Sequence, residues 1–407
     1  LIIENSKRKL SINVILQITY QLVMTLAPLL TTPYISRVLG ADGLGVNSYS
    51  LSISNYFMMF AMLGMTNYGC RTIAAVRDDR NELSKTFWNV YTMQLICSIT
   101  AIVAYYSMIT IQQPEYYYVA LVQGFYVISC AFDVTWLFFG VEKFLNTTVV
   151  GIVVKIITVS SVFLFVKPGA NNVVIYASIV GGGTLLHHLI LFMQLRKIVD
   201  WVKPEKKEVI KHIKPNLILF LPCVAESVYH NMDKTMLGLL STYDETGYYY
   251  AVDKLINVPK GVVNALGSVF MSRISHLYGT DNKESAKKVF KSSFILHTML
   301  ISALAFGIFA VSNEFIPLFF GEGYERCYDL MLPFCAILII KSYTIFMITE
   351  YFIPSKQETK YTIAVCIGAV ANLVANLLLI KPYGALGATY GTLIAEGVVF
   401  LTLLSIY

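Results

Sequence analysis

Residues 361–380 read YTIAVCIGAVANLVANLLLI, twenty positions without one charged side chain. A helix rises 1.5 Å per residue, so such a run reaches about 30 Å, the thickness of the hydrocarbon core of a bilayer. Working outward, similar runs recur near residues 12–33, 44–69, 86–110, 117–140, 146–166 and 173–195. They continue near 215–240, 247–271, 289–311, 327–350 and 384–407, with gaps too short to hold a soluble domain. Composition agrees: 56% of the 407 residues are hydrophobic and 14% charged, where a soluble domain carries roughly 25% charged residues. The predicted fold class is all-α, a polytopic membrane protein of about twelve transmembrane helices. Seven cysteines (Cys70, Cys97, Cys130, Cys223, Cys327, Cys335 and Cys366) stand singly with no C-x-x-C pair, and read as small core hydrophobes. The first run contains Gln17, Gln21 and Pro28 and no small-residue cleavage site, so it is expected to remain as a span.

The formal charge of +6 could suggest nucleic acid, but the distribution of cations says otherwise. With the N-terminus placed in the cytoplasm, 22 Lys and Arg residues fall in inside segments. Only Arg37, Lys167, Arg326 and Lys381 fall outside. The positive-inside rule thus orients the chain with a cytoplasmic N-terminus, and the basic loops need no nucleic-acid partner.

The longest cytoplasmic loop divides the chain into an N-terminal six-helix bundle (1–196), a linker (197–214) and a C-terminal six-helix bundle (215–407). Duplicated halves of this kind place a transport site between them. A glycine turn opens the second helix of each half, at Gly43 and Gly45 and again at Gly247, and Gly384 with Gly387 repeats it before the last span. Ionisable residues inside spans cost about 2.5–3.5 kcal/mol each at a helix centre, so they face a cavity or a partner. On the seventh span Glu226, His230 and Asp233 share one face, with Lys234 beside them, and the eighth presents Asp253, Asn257, Lys260 and Asn264 around Pro259 and Gly261. Milder stripes lie on span one (Asn13, Gln17, Gln21) and span two (Asn47, Ser50, Ser54). Either these four spans surround a hydrated cleft, or their polar groups bond between packed helices. Lys155, Lys341 and Glu396 read singly as packing residues, and His187 and His188 as structural, for lack of an acid at helical spacing. No H-E-x-x-H, G-x-S-x-G or Walker sequence occurs, so enzymatic and ATP-driven chemistry have no motif here.

The stretch Pro33-Tyr34-Ile35-Ser36-Arg37-Val38-Leu39-Gly40-Ala41-Asp42-Gly43-Leu44-Gly45 closely resembles the first helix end of polysaccharide-transporter flippases. Trp136-Leu137-Phe138-Phe139-Gly140-Val141-Glu142-Lys143-Phe144, Asn231-Met232-Asp233-Lys234-Thr235-Met236-Leu237-Gly238 and Gly384-Ala385-Leu386-Gly387-Ala388 extend the similarity. The resemblance implies the multidrug/oligosaccharidyl-lipid/polysaccharide (MOP) exporter fold, in the bacterial cytoplasmic membrane. It also implies a polyprenyl-pyrophosphate-linked oligosaccharide as substrate, with no cofactor and no metal. Such a dianionic glycolipid cannot cross hydrocarbon unaided. Arg37, Lys234, Lys254 and Lys260 are then the candidates for the pyrophosphate. Gln17, Gln21, Asn257, Asn264 and His230 would bond the sugar, and Tyr20 and Tyr250 would stack on it. Glu226, Asp233 and Asp253 would pair with the lysines or bind a coupling proton or sodium ion. A cation-coupled drug antiporter of the same fold and a membrane-embedded glycan polymerase or ligase are the alternatives.

Overall fold

The computed structural model describes the backbone of residues 2–280, 282–355 and 357–406. Side chains are described from residue 23 onward, apart from positions 25, 221–223, 225, 226, 228, 265, 268, 272, 276, 279, 281, 283, 356, 358 and 407. Gln17, Tyr20, Gln21 and Glu226, like Cys223 and Asn13, therefore lie outside the described residues.

A helix stands at every predicted span. α1 (Ile2–Met62) carries the first two, and the short α2 (Met65–Val76) follows before α3 (Arg80–Gln112). The fourth span is shared by α4 (Tyr117–Phe132) and α5 (Thr135–Gly140); α6 (Phe144–Phe165) and α7 (Asn172–Met193) complete the first half. Then come α8 (Lys206–Leu240), α9 (Tyr243–Gly279), α10 (Lys283–Phe320), α11 (Arg326–Met347) with a π-helical turn at Ile348–Phe352, α12 (Glu358–Tyr383) and α13 (Ala385–Ile406). No strand occurs among the described residues. Eight helical segments, at predicted spans three to six and nine to twelve, are long and apolar enough to cross a membrane. Spans one, two, seven and eight are not among these eight, and spans one, seven and eight contain residues outside the described side chains.

Backbone geometry explains two departures from the predicted boundaries. Gly40 adopts φ 69°, ψ 179° inside α1, a kink at positive φ that glycine reaches without a Cβ clash. The second span ends at Met62 rather than residue 69, because Leu63 and Gly64 take φ of 44° and 74° and turn the chain into α2. Pro259, expected to interrupt the eighth span, lies within a continuous α9.

The chain forms two compact units, Leu1–Val38 with Ser50–Ser227 and Leu39–Tyr49 with Val228–Tyr407. The first is built around Trp136, which is fully buried and stacks on Phe87 with ring centres 5.4 Å apart. Its indole N–H donates to Gln94 Oε1 at 2.8 Å. The Gln94 amide donates in turn to the carbonyls of Cys130 (2.7 Å) and Asp133 (2.8 Å), where the fourth span breaks between α4 and α5. Broken backbone at membrane depth is tolerated only where protein satisfies its polar groups; Gln94 does so here. The predicted linker is pinned to the same unit: Arg80 binds Asp200 with two bonds at 2.7 and 2.8 Å, and Trp88 donates to the Asp200 carbonyl at 2.9 Å. The Arg80 hydrogen bond holds the Asp200 carboxyl below its ordinary value.

In the second unit, the Leu39–Tyr49 segment of α1 packs on the start of α9. A Cβ on Gly45 would lie 1.7 Å from the Tyr243 carbonyl oxygen, and one on Gly247 1.9 Å from that of Ala41. The repeated glycines therefore let two backbones meet, as small residues do between membrane helices.

Candidate functional site

The polar side chains of the second unit form three neighbouring layers. The first surrounds Asp233 on α8, which is 5% exposed. Asn372 and Asn376 on α12 donate to its Oδ1 at 3.1 and 2.6 Å, while Tyr249 on α9 and Thr392 on α13 donate to Oδ2 at 2.6 and 2.7 Å. Four helices thus converge on one carboxylate. All four donors are neutral groups, so none of them brings a charge to balance the carboxylate. The asparagines stand one turn apart on the uncharged 361–380 run, both fully buried. Asn376 Oδ1 has no hydrogen-bond partner, and a Cβ at Gly391 would lie 2.1 Å from it.

The second layer starts at the next residues along the same two helices. Lys234 reaches Asp253 at 3.0 Å, and Lys260 approaches the same carboxylate at 3.6 Å. Lys260 also donates to Asn257 Oδ1 at 3.0 Å. Tyr250 presents its ring to both Lys234 (5.6 Å) and Lys254 (5.3 Å), a geometry that holds an ammonium by the ring quadrupole. One acid therefore serves two lysines, and Lys254 stands against the aromatic ring. Asp253, Asn257 and Lys260 stand at i, i+4 and i+7 on α9, and the structure brings all three into contact.

A third layer joins residues that the sequence presents as isolated. Lys341 on α11 meets Glu396 on α13 at 2.6 Å, and its ammonium lies 5.2 Å from the Tyr229 ring centre. Breaking such a buried pair is costly because one charge is left alone. His230 is exposed and within electrostatic reach of Lys341, Asp253, Lys260 and Lys234. Among the described residues, Lys234, Lys254, Lys260 and Lys341 stand with Asp233, Asp253 and Glu396, a local surplus of one positive charge.

Other candidates fall elsewhere. Arg37 belongs to the first unit, is exposed, and donates to the Pro33 carbonyl of its own helix at 3.2 Å. Asn264 is exposed on α9. The stripe on span two does not line an open cleft: Asn47, Ser50 and Ser54 are 4%, 1% and 0% exposed, and Ser54 bonds Tyr105 at 2.9 Å. Of the two histidines, His188 has an acid close by. Asp133 reaches His188 at 3.8 Å from the break between α4 and α5, a pairing that helical spacing within α7 could not reveal. Among the described residues no three His, Cys, Asp or Glu side chains group as a transition-metal site.

Sequence reading missed Asn372, Asn376, Tyr249 and Thr392. The available signal was the i, i+4 pair of amides on an otherwise apolar span, since amides in such a setting require partners.

Comparison with known proteins bears on this arrangement. A "Putative O-antigen transporter" of Escherichia coli (strain K12) is 23% identical over 80% of this chain and 79% of its own. Among solved structures, the lipid II flippase MurJ superposes with TM-score 0.76 at 14% identity, over 97% of this chain and 87% of that one. A multidrug resistance MATE family transporter of the MOP superfamily gives 0.74 at 13%, covering 96% of both chains. At these identities the likeness shows the fold, that of MOP-superfamily transporters, in a multi-pass membrane protein. The family model described as "Polysaccharide biosynthesis protein" matches residues 10–277, about two thirds of the sequence, and the chain belongs to that family.

Proposed function

We propose that this protein is a flippase that carries a polyprenyl-pyrophosphate-linked oligosaccharide from the cytoplasmic to the outer leaflet of a bacterial cytoplasmic membrane by alternating access. The N-terminus is cytoplasmic, as the cation asymmetry indicates, and the lipid tail stays in the bilayer while the polar headgroup crosses. The observation that carries the reading is the surplus of lysines in the second unit. Lys234 and Lys260 share one carboxylate, so an anionic headgroup supplies the counter-charge they lack. Their side chains are 19% and 14% exposed, deep enough for a strong interaction and open enough for a ligand. Names of relatives that describe O-antigen transport and lipid II flipping point the same way. A cationic drug would meet repulsion at these lysines, which weighs against the antiporter alternative.

Asp233 is the candidate for the coupling ion, and sodium fits it better than a proton. Turned about, the Asn372 and Asn376 amides and the Thr392 hydroxyl offer oxygens of the kind a hard cation takes. The unpartnered Asn376 Oδ1 is already one such oxygen. A bound sodium ion would supply positive charge alone; the residues hold and orient it.

The test is flipping of a fluorescent lipid-linked oligosaccharide by reconstituted Lys234→Gln and Lys260→Gln variants. Each variant leaves one ammonium for Asp253, so folding is retained. Each is expected to slow flipping about a hundredfold, the scale of losing a desolvated charged contact. Unaltered rates in both would overturn the reading.

A further inference from the structure

The Lys341–Glu396 pair is asymmetric in its burial. The glutamate side chain is 3% exposed and the lysine 17%, so a ligand approaching the lysine cluster meets the ammonium first. Lys260 is within electrostatic reach of both members of the pair. His230 is within electrostatic reach of Lys341 as well as of Lys234 and Lys260, so the three ammoniums belong to one neighbourhood. The glutamate also has a second partner at hand. Tyr229 lies beside Glu396, and its hydroxyl is buried without a hydrogen bond. A buried ion pair kept only for packing could be replaced by apolar residues at little cost, and it would not require an idle donor beside its acid.

Resting on the flippase reading above, we propose that Lys341 is a masked phosphate-binding residue that Glu396 releases to a diphosphate headgroup, with the Tyr229 hydroxyl then taking over the carboxylate. The exchange trades one ion pair for another in the same surroundings, so it is nearly isoenergetic and reversible, as release of cargo requires. It also sets specificity. Lys234, Lys254 and Lys260 against Asp233 and Asp253 leave about one positive charge uncompensated, enough for a monophosphate, while unmasked Lys341 adds the further direct ammonium contact that a diphosphate needs.

Geranyl pyrophosphate and geranyl phosphate, both water-soluble, separate these cases when titrated against the purified full chain by calorimetry. The neutral pair Lys341→Met with Glu396→Gln strands no buried charge, and its melting temperature should stay close to that of the unaltered protein. It is expected to weaken diphosphate binding about tenfold, the scale of one charged hydrogen bond, while monophosphate affinity stays within about twofold. Glu396→Gln alone unmasks the lysine and should tighten diphosphate binding. Tyr229→Phe removes the stand-in donor and should weaken it. A double variant that binds both probes as the unaltered protein does would overturn the proposal and leave the pair a packing feature. If the unaltered protein binds geranyl phosphate and geranyl pyrophosphate equally, the masking idea fails while the phosphate site stands. If it binds neither, the phosphate reading fails and this inference with it.

Discussion

Two buried polar networks sit in the apolar interior of this protein, and they are finished differently. Around Trp136, Gln94 uses its carbonyl for the indole N–H and its amide for two backbone carbonyls. That network is neutral and its donors and acceptors are matched. Around Asp233 and Lys341 the network carries charge, and Asn376 Oδ1 and the Tyr229 hydroxyl are left over. A closed neutral network fixes one conformation; an open charged one leaves capacity for something to bind. The contrast separates the matched Gln94 amide from the Asp233 carboxylate where burial alone does not, since both groups are nearly inaccessible.

The largest effect that would sharpen this contrast is expected from Gln94→Leu. It strands the Trp136 N–H and leaves the carbonyls of the α4–α5 break without donors, at about 1–3 kcal/mol for each group. Folded yield and melting temperature in detergent should fall sharply; a normal melting curve would show that the network is not what holds the break. An intermediate effect is expected from Asp233→Asn, which keeps shape and removes charge. Flipping should lose its dependence on a sodium gradient, a change of about tenfold, with folded yield unchanged. Persistent sodium dependence would move the ion elsewhere. The smallest effect is expected from Arg80→Ala at the exposed linker, because solvent screens surface ion pairs and they add little to stability. Its sign with pH is definite. The folded-state pKa of Asp200 is lowered, so its contribution is present above the ordinary carboxylate pKa of about 3.9 and fades as pH falls through the lowered value. The variant and the unaltered protein should therefore converge in stability in acid, and divergence there would show that Arg80 acts through something other than Asp200.

Spans and the contacts along the eighth-span stripe were legible because their signals are local. Asp253, Asn257 and Lys260 recur at helical spacing, and the structure joins them as that spacing implies. The span-two stripe has the same periodicity yet packs dry, because periodicity names a face and not what covers it. Gln94 gave no sign of its role, since its partners are carbonyls freed by a helix break in a different span.

By itself the sequence determined that this chain is a bundle of apolar helices with a surplus of cations on one side, because span length, hydropathy and loop charge are properties of consecutive residues. Tertiary structure alone decided that Asp233 meets Asn372, Asn376 and Thr392, and that Lys341 meets Glu396. Those pairings lie 55–159 residues apart along the chain. The physical reason is that a charge within a membrane protein is tolerated only beside a partner, and which helix supplies the partner depends on how helices pack, which no local window contains.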